Sequence, residues 1–200
     1  MSSAKNSVRA RRGRARRGLF SLVFTLLLVE FLDELVFGVR EAAWPLMRDD
    51  LRLSYTQVGV LLSVPGVVGN LIEPSFGILG DVWRRRTLVL AGGVVFALAS
   101  LLVGLSTSFA ALLAATILLN PASGAFVGLS QATLMDAAPE RREQNMARWA
   151  LAGSIGNADL FPLALGAFAE RFGLGAMMWL LAAGPLVLLA GLPTDRSEKV

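Results

Sequence analysis

The chain has 200 residues, of which 54% are hydrophobic and 17% charged, and its mean hydropathy is +0.60. A soluble domain has about 25% charged residues, so this composition excludes an ordinary soluble globular protein. Cysteine and histidine are both absent, which excludes disulfides, cysteine nucleophiles and sites that need a histidine ligand or base. We therefore expect a membrane protein that holds no metal and no cofactor.

Six apolar stretches approach or exceed the roughly 20 residues that cross a bilayer. Because backbone polar groups in lipid must be paired internally, each stretch is predicted to be a helix, which makes the fold class all-α. The predicted spans are Leu19–Met47, Gln57–Gly80, Thr87–Thr107, Phe109–Met135, Ala147–Phe168 and Leu174–Leu192. They divide the chain into a basic tail of residues 1–18, a six-helix transmembrane domain of residues 19–192 and a second tail of residues 193–200.

The basic residues predict the orientation of these spans. Fifteen of the 19 Lys and Arg lie in the two tails and in the connections between helices 2 and 3 and between helices 4 and 5. Cytoplasmic segments carry an excess of Lys and Arg, so both termini are predicted to be cytoplasmic, in the plasma (cell inner) membrane. The net charge of +4 then reflects topology and contact with anionic lipid, and nucleic-acid binding is not expected.

The first span carries five charges in a largely apolar run. At about 100° per residue they fall on one arc of about 120°, and they are Glu30, Asp33, Glu34, Arg40 and Glu41. Intramembrane charges usually face a bundle interior or water, so this arc is predicted to line a cavity. Asp33 and Arg40 lie two turns apart and are candidates for an ion pair. The alternative for Arg40 and Glu41 is a position at the outer interface, where long side chains extend to water.

The second span carries a stripe of small and polar residues on an arc of about 100°, namely Gly59, Gly66, Gly69, Asn70, Glu73, Gly77 and Gly80. Glycines let a neighbouring helix approach closely, and two polar side chains enter the same contact. Glu73 is therefore either a hydrogen-bonded packing residue or a group that handles protons or solute. Asn120 and Gln131 of the fourth span are further polar candidates for the cavity.

The connection between the second and third spans holds the most specific motif. Residues 77–86 read G-I-L-G-D-V-W-R-R-R. This resembles the loop between helices 2 and 3 of the major facilitator superfamily, G-x-L-A-D-[RK]-x-G-R-[RK]. Its key positions are occupied by Gly77, Leu79, Asp81, Arg85 and Arg86. Gly80 replaces a small alanine, whereas Val82 and Arg84 depart from the pattern.

The resemblance covers about residues 19–192 and implies the N-terminal six-helix half of a twelve-helix fold. It implies an inner gate formed by Gly77, Gly80, Asp81, Arg84, Arg85, Arg86 and Asp136. Asp136 is placed to pair with one of the last two arginines, the alternative being an exposed pair that contributes less than about 1 kcal/mol. The fifth helix, with Gly153, Gly156 and Pro162, resembles the glycine-rich hinge helix of drug-exporting members, although Phe161 stands where those members have glycine.

By this resemblance the function is secondary active transport of a small solute by alternating access between two six-helix halves. Many members carry an arginine four residues before Gly124, where this chain has Asn120. Proton coupling is therefore expected to rest on the carboxylates of the first two spans. The second half would be absent through truncation, which we favour, supplied by a homodimer or encoded separately. The alternative is a non-transporting membrane fragment or assembly subunit, and an enzyme is not expected, since no nucleophile–base set is visible.

Overall fold

A computed structural model describes residues 2–158 and 160–191, and all regular structure in these ranges is helical. The α-helices are α1 (Ser2–Ala42), α2 (Trp44–Asp50), α3 (Tyr55–Val82), α4 (Arg85–Gly104), α5 (Phe109–Ser123), α6 (Leu129–Ala137), α7 (Arg142–Gly156), α8 (Leu160–Phe172) and α9 (Leu174–Gly191). A π-helical segment, Gly124–Gly128, joins α5 to α6, and a 3-10 turn, Pro139–Arg141, precedes α7. The tail of residues 193–200 lies outside the described residues, whereas the backbone of the basic tail continues into α1.

Among the described residues, three helical stretches are long and apolar enough to cross a bilayer. They are Tyr55–Val82, Arg85–Gly104 and the continuous run Phe109–Ala137, and they coincide with the second, third and fourth predicted spans. A shorter apolar helix, Gly175–Leu188, lies within the sixth. In α1, acidic residues interrupt the apolar run. The all-helical membrane-type fold is thus confirmed, and the six crossings stay a prediction.

Local signals set several helix ends. Ser54 caps α3, because its side chain accepts from the N–H of Gln57 while its own N–H donates to the Gln57 side chain at 2.9 Å, which is a capping box. Ser108 accepts from the third residue of α5 in the same way. Pro45 lies in the first turn of α2 and cannot donate the hydrogen bond that would continue α1. The span predicted as Leu19–Met47 is consequently two helices.

The prediction of a single fifth helix over Ala147–Phe168 is wrong. α7 begins earlier, ends at Gly156 and is followed by Asn157, whose N–H still bonds the carbonyl of Gly153. Asparagine and aspartate favour such ends because their side chains compete with the backbone for hydrogen bonds. The helix resumes as α8. Asp159, within the break, lies outside the described residues.

The centre of the bundle lies between α4 and its neighbours. Phe96 of α4 and Phe126 of the π-helical segment are fully buried, and their rings stack with centroids 5.9 Å apart. α4 packs against α5 and α9, and α1 packs against α7. α3 packs chiefly against α5 and therefore lies at one edge of the bundle. Many of its large apolar side chains are exposed, including Leu62, Val67, Leu71 and Ile78.

The contact between α4 and the π-helical segment generates a stability prediction. A Cβ on Gly92 would lie 2.8 Å from the backbone nitrogen of Phe126. We predict that Gly92→Ala lowers the free energy of unfolding by about 1–3 kcal/mol, as overpacking does, because a backbone atom cannot move aside as a side chain can. Thermal unfolding in mild detergent, followed by circular dichroism, measures the change.

The matched control is Gly59→Ala on α3, where an added Cβ meets nothing within 4 Å. This variant should keep its stability or gain up to about 1 kcal/mol from the better helix propensity of alanine. Equal melting temperatures for the two variants would contradict the close packing at Gly92.

Candidate functional site

The acidic arc of α1 divides into buried and exposed members. Glu30 and Asp33 are 8% and 7% exposed, Glu34 is half-buried and Glu41 is exposed. Arg40 places its guanidinium 4.5 Å from the ring centroid of Phe37. The ion pair predicted between Asp33 and Arg40 is not formed, since Arg85 is the cation in both ion pairs of the described residues. The buried acids of α1 therefore depend on polar partners from other helices.

The residues that contact the Glu30 side chain lie on α7. The indole N–H of Trp149 is within hydrogen-bonding reach of its carboxylate. A Cβ on Gly153 would lie 2.7 Å from its Oε1 atom, and a Cβ on Gly156 would meet the carbonyl oxygen of Phe31. The two glycines predicted as hinge residues thus lie where α7 approaches the acids of α1, directly before the break in the helix. Pro162, the third predicted hinge residue, is in α8, and its side chain is outside the described part of the chain.

Asp33 is partnered from α5. The hydroxyl of Ser123 donates to its Oδ1 atom across 2.8 Å, between residues 90 positions apart in the chain. The sequence-based prediction did not select Ser123. The one feature of the sequence that could have pointed to Ser123 is its position directly before Gly124, on the helix that also carries Asn120. Ser123 is the last residue of α5, and the π-helical segment begins at the next residue.

Ser123 also lines a cavity of about 170 Å³ between α3 and α5. The complete lining is Gly66, Gly69, Asn70, Glu73, Asn120, Ser123 and Gly124. Gly69 admits the side chain of Asn120, since an added Cβ would lie 3.2 Å from its Cβ. The amide nitrogen of Asn120 donates to the carbonyl of Thr116 at 3.0 Å. Polar side chains from two helices therefore converge on one small space beside Asp33.

Five polar side chains meet at or beside the cavity, and two residues that were predicted to line it lie elsewhere. Asp33, Asn70, Glu73 and Asn120 meet around Ser123. Gln131 lies further along, with its amide nitrogen 3.8 Å from the sulfur of Met146, and Arg40 packs on Phe37. The described residues contain no cluster of three or more acidic, histidine or cysteine side chains that could hold a metal ion.

The loop between α3 and α4 is tied to α6 by Arg85. Its guanidinium bonds Asp136 at 2.6 Å and Asp81 at 3.0 Å. Of the two arginines proposed as partners of Asp136, the pair therefore involves Arg85. Gly80 is buried against Leu129 of α6, whereas Gly77 has open space beside it. Asp81 and Asp136 are mostly exposed, and Arg84 is exposed as well.

Apolar helices that enclose acids, with polar groups gathered in a cavity, are typical of membrane proteins that move ions or solutes. The family model described as the Major Facilitator Superfamily matches residues 20–200. The chain belongs to this superfamily of membrane transporters, as the loop of residues 77–86 predicted.

Curated relatives are bacterial transport and resistance proteins. The chain is 24% identical to the fosmidomycin resistance protein of Escherichia coli over 86% of its own length and 42% of the relative's. It is 34% identical to the multidrug efflux pump LfrA of Mycolicibacterium smegmatis, over 73% of the chain and 29% of the pump. It is 27% identical to the multidrug export protein EmrB of Haemophilus influenzae, over 66% of the chain and 26% of that protein. The chain thus spans less than half the length of these relatives.

The Arg85 bridge generates a prediction about the two helix ends it joins. We predict that Arg85→Gln and Asp136→Asn are coupled in a double-mutant cycle by up to about 1 kcal/mol, because solvent screens an ion pair this exposed. Thermal unfolding of the wild type, the two single variants and the double variant measures the coupling. The control cycle pairs Asp136→Asn with Arg84→Gln, whose arginine is exposed, and should show no coupling. Equal couplings in both cycles would contradict the specific bridge.

Proposed function

We propose that this chain forms the N-terminal six-helix half of a secondary transporter that exports a small solute by alternating access, coupled to protons. Both termini would lie in the cytoplasm, and the domain of residues 19–192 would work against a second six-helix half. Such halves enclose a site near the middle of the membrane and rock about it. The observation that carries the proposal is the hydrogen bond from Ser123 to Asp33 at the wall of a polar cavity.

The edge position of α3 supports a partner half. Asn70 and Glu73 are exposed on this helix, although the helix is apolar enough to lie in a bilayer. Polar groups facing lipid are costly, so we expect another protein surface or water there. The relatives are more than twice as long as the segment they share with this chain. The second half would come from the same longer chain, from a second copy or from a separate polypeptide.

Export is the direction favoured by the relatives. Two of them are named as multidrug export or efflux proteins, and the third as a resistance protein. The Arg85 bridge between α3 and α6 would then belong to the inner gate. Its exposed carboxylates make a contact of modest strength, which suits a gate that must open.

Ser123 would transmit a change in the protonation of Asp33 to the cavity. While Asp33 is ionised, its carboxylate only accepts, so the Ser123 hydroxyl donates to it. When Asp33 takes up a proton, its carboxyl group can donate to the Ser123 oxygen, and the serine hydrogen becomes free to turn toward the cavity. The charged groups facing Asp33 are Glu30, Glu34 and Arg40 of its own helix. Glu73 of α3 lines the cavity that Ser123 borders.

This relay makes a prediction for the complete transporter in everted membrane vesicles with an acidic interior. Ethidium is a suitable probe, because its charge is permanent and it carries no proton across the membrane by itself, while its two amino groups supply N–H donors. Ethidium should release protons from the vesicles, and Asp33→Asn should abolish the release. Ser123→Ala should reduce it tenfold or more, since a hydrogen bond to a charged group contributes about 1.5–3 kcal/mol. Acridine orange fluorescence measures the pH gradient.

Two matched controls separate coupling from folding. Glu41→Gln changes an exposed acid of the same helix, and Ser154→Ala removes an exposed hydroxyl that bonds only the backbone of its own helix at 2.8 Å. Both should release protons like the wild type. Proton release that survives Asp33→Asn would overturn the proposed coupling site.

The second candidate function is a non-transporting fragment or assembly subunit that keeps the fold. The chain aligns to 26–42% of the length of its relatives. Native mass in mild detergent discriminates the two functions. A stable monomer of 21.3 kDa with no ethidium-dependent proton release would favour this second function.

A further inference from the structure

The cavity between α3 and α5 has an unusual balance of hydrogen-bonding groups. The amide nitrogen of Asn120 donates one N–H to the carbonyl of Thr116, which leaves its second N–H as a donor and its oxygen as an acceptor. The Ser123 hydroxyl is donated to Asp33, so its oxygen offers the cavity lone pairs. Both side chains can therefore accept a hydrogen bond from a molecule in the cavity.

Glu73 adds negative charge to these acceptors. Its Cγ lies 3.6 Å from where a Cβ of Gly124 would be, which places the side chain across the cavity from α3 to α5. The lining contains no Lys or Arg, and neither ion pair of the described residues includes Glu73. The amides of Asn70 and Asn120 are the donors among the side chains of this lining. The lining therefore combines one carboxylate with several acceptor oxygens and has no cationic side chain.

We propose that this cavity binds the ammonium group of a protonated primary, secondary or tertiary amine, an inference that rests on the proposed transport function and names its substrate class. The ammonium would place its charge beside Glu73 and donate an N–H to the side-chain oxygen of Asn120 or of Ser123. The rest of the molecule would extend past Gly66, where an added Cβ meets nothing within 4 Å. Charge-assisted hydrogen bonds of this kind are short and strong.

Two other classes of cation fit less well. A quaternary ammonium has no N–H to donate and is usually recognised by aromatic rings, whereas the lining contains no aromatic residue. A bare alkali-metal ion is much smaller than a cavity of about 170 Å³, given that one water occupies about 30 Å³. The acceptors and the size together select an organic cation that carries N–H.

A matched pair of probes tests this inference on the purified complete transporter in nanodiscs. N,N-dimethylbenzylamine is protonated at neutral pH and carries one N–H, whereas benzyltrimethylammonium has a methyl group in its place. Calorimetry should show the first binding at least tenfold more tightly than the second. Asn120→Leu should reduce this ratio to near one. Glu73→Gln should weaken both probes tenfold or more, and Glu41→Gln should change neither.

Each remaining outcome has a defined meaning. Equal affinities of the two wild-type probes, or affinities that Glu73→Gln leaves unchanged, would overturn the amine site. Displacement of N,N-dimethylbenzylamine by sodium chloride but not by choline chloride would replace it with a sodium site. Ethidium-dependent proton release from everted vesicles that carry the same variants tests the transport function separately. If protons are released but the two probes bind equally, the amine site is contradicted and the transport function stands. If N,N-dimethylbenzylamine binds more tightly but no protons are released, the proton coupling is contradicted and the amine site stands.

Discussion

Carboxylates placed inside an apolar helix bundle are the constraint on which the rest of this structure depends. A charged group at a helix centre costs roughly 2.5–3.5 kcal/mol on insertion scales, and burial without a partner costs more. Glu30 and Asp33 are nevertheless almost fully buried. They are tolerated because α7 brings the indole of Trp149 to one of them and α5 brings the hydroxyl of Ser123 to the other. The contact between α1 and α5 is thereby specified by a hydrogen bond as well as by shape.

Glycine makes these contacts possible. Gly153 lies against the carboxylate of Glu30, Gly69 against Asn120, and Gly124 against Glu73. A methyl group would crowd the polar side chain at Gly153 and at Gly69, whereas at Gly124 it would make an ordinary van der Waals contact with Glu73. At Gly59 an added Cβ meets nothing within 4 Å, and at Gly66 the open space is the cavity itself. The same helix thus carries one side of the cavity and an exposed edge.

Much of the framework could be predicted from periodicity and charge. The second, third and fourth spans, the single arc of acids and the loop of residues 77–86 follow from local pattern. The break after Gly156 is not predicted from the sequence, because an interruption that begins at Asn157 is too short to be detected within a long apolar stretch. The division of the first span at Pro45 was missed for the same reason. Ser123 cannot be singled out from the sequence, because a lone serine in an apolar helix usually bonds its own backbone, as Ser100 and Ser130 do here.

The sequence by itself determined that this is a helical membrane protein of its superfamily, with acids on one face of its first helix and an arginine-rich loop after its second. Those properties follow from spacing along one helix, which a linear pattern records. Only the tertiary structure decided that Asp33 bonds Ser123, that Arg85 is the arginine beside Asp136, and that Glu73 shares a cavity with Asn120. These partners lie on different helices, and their meeting depends on how each helix is rotated and packed against its neighbours.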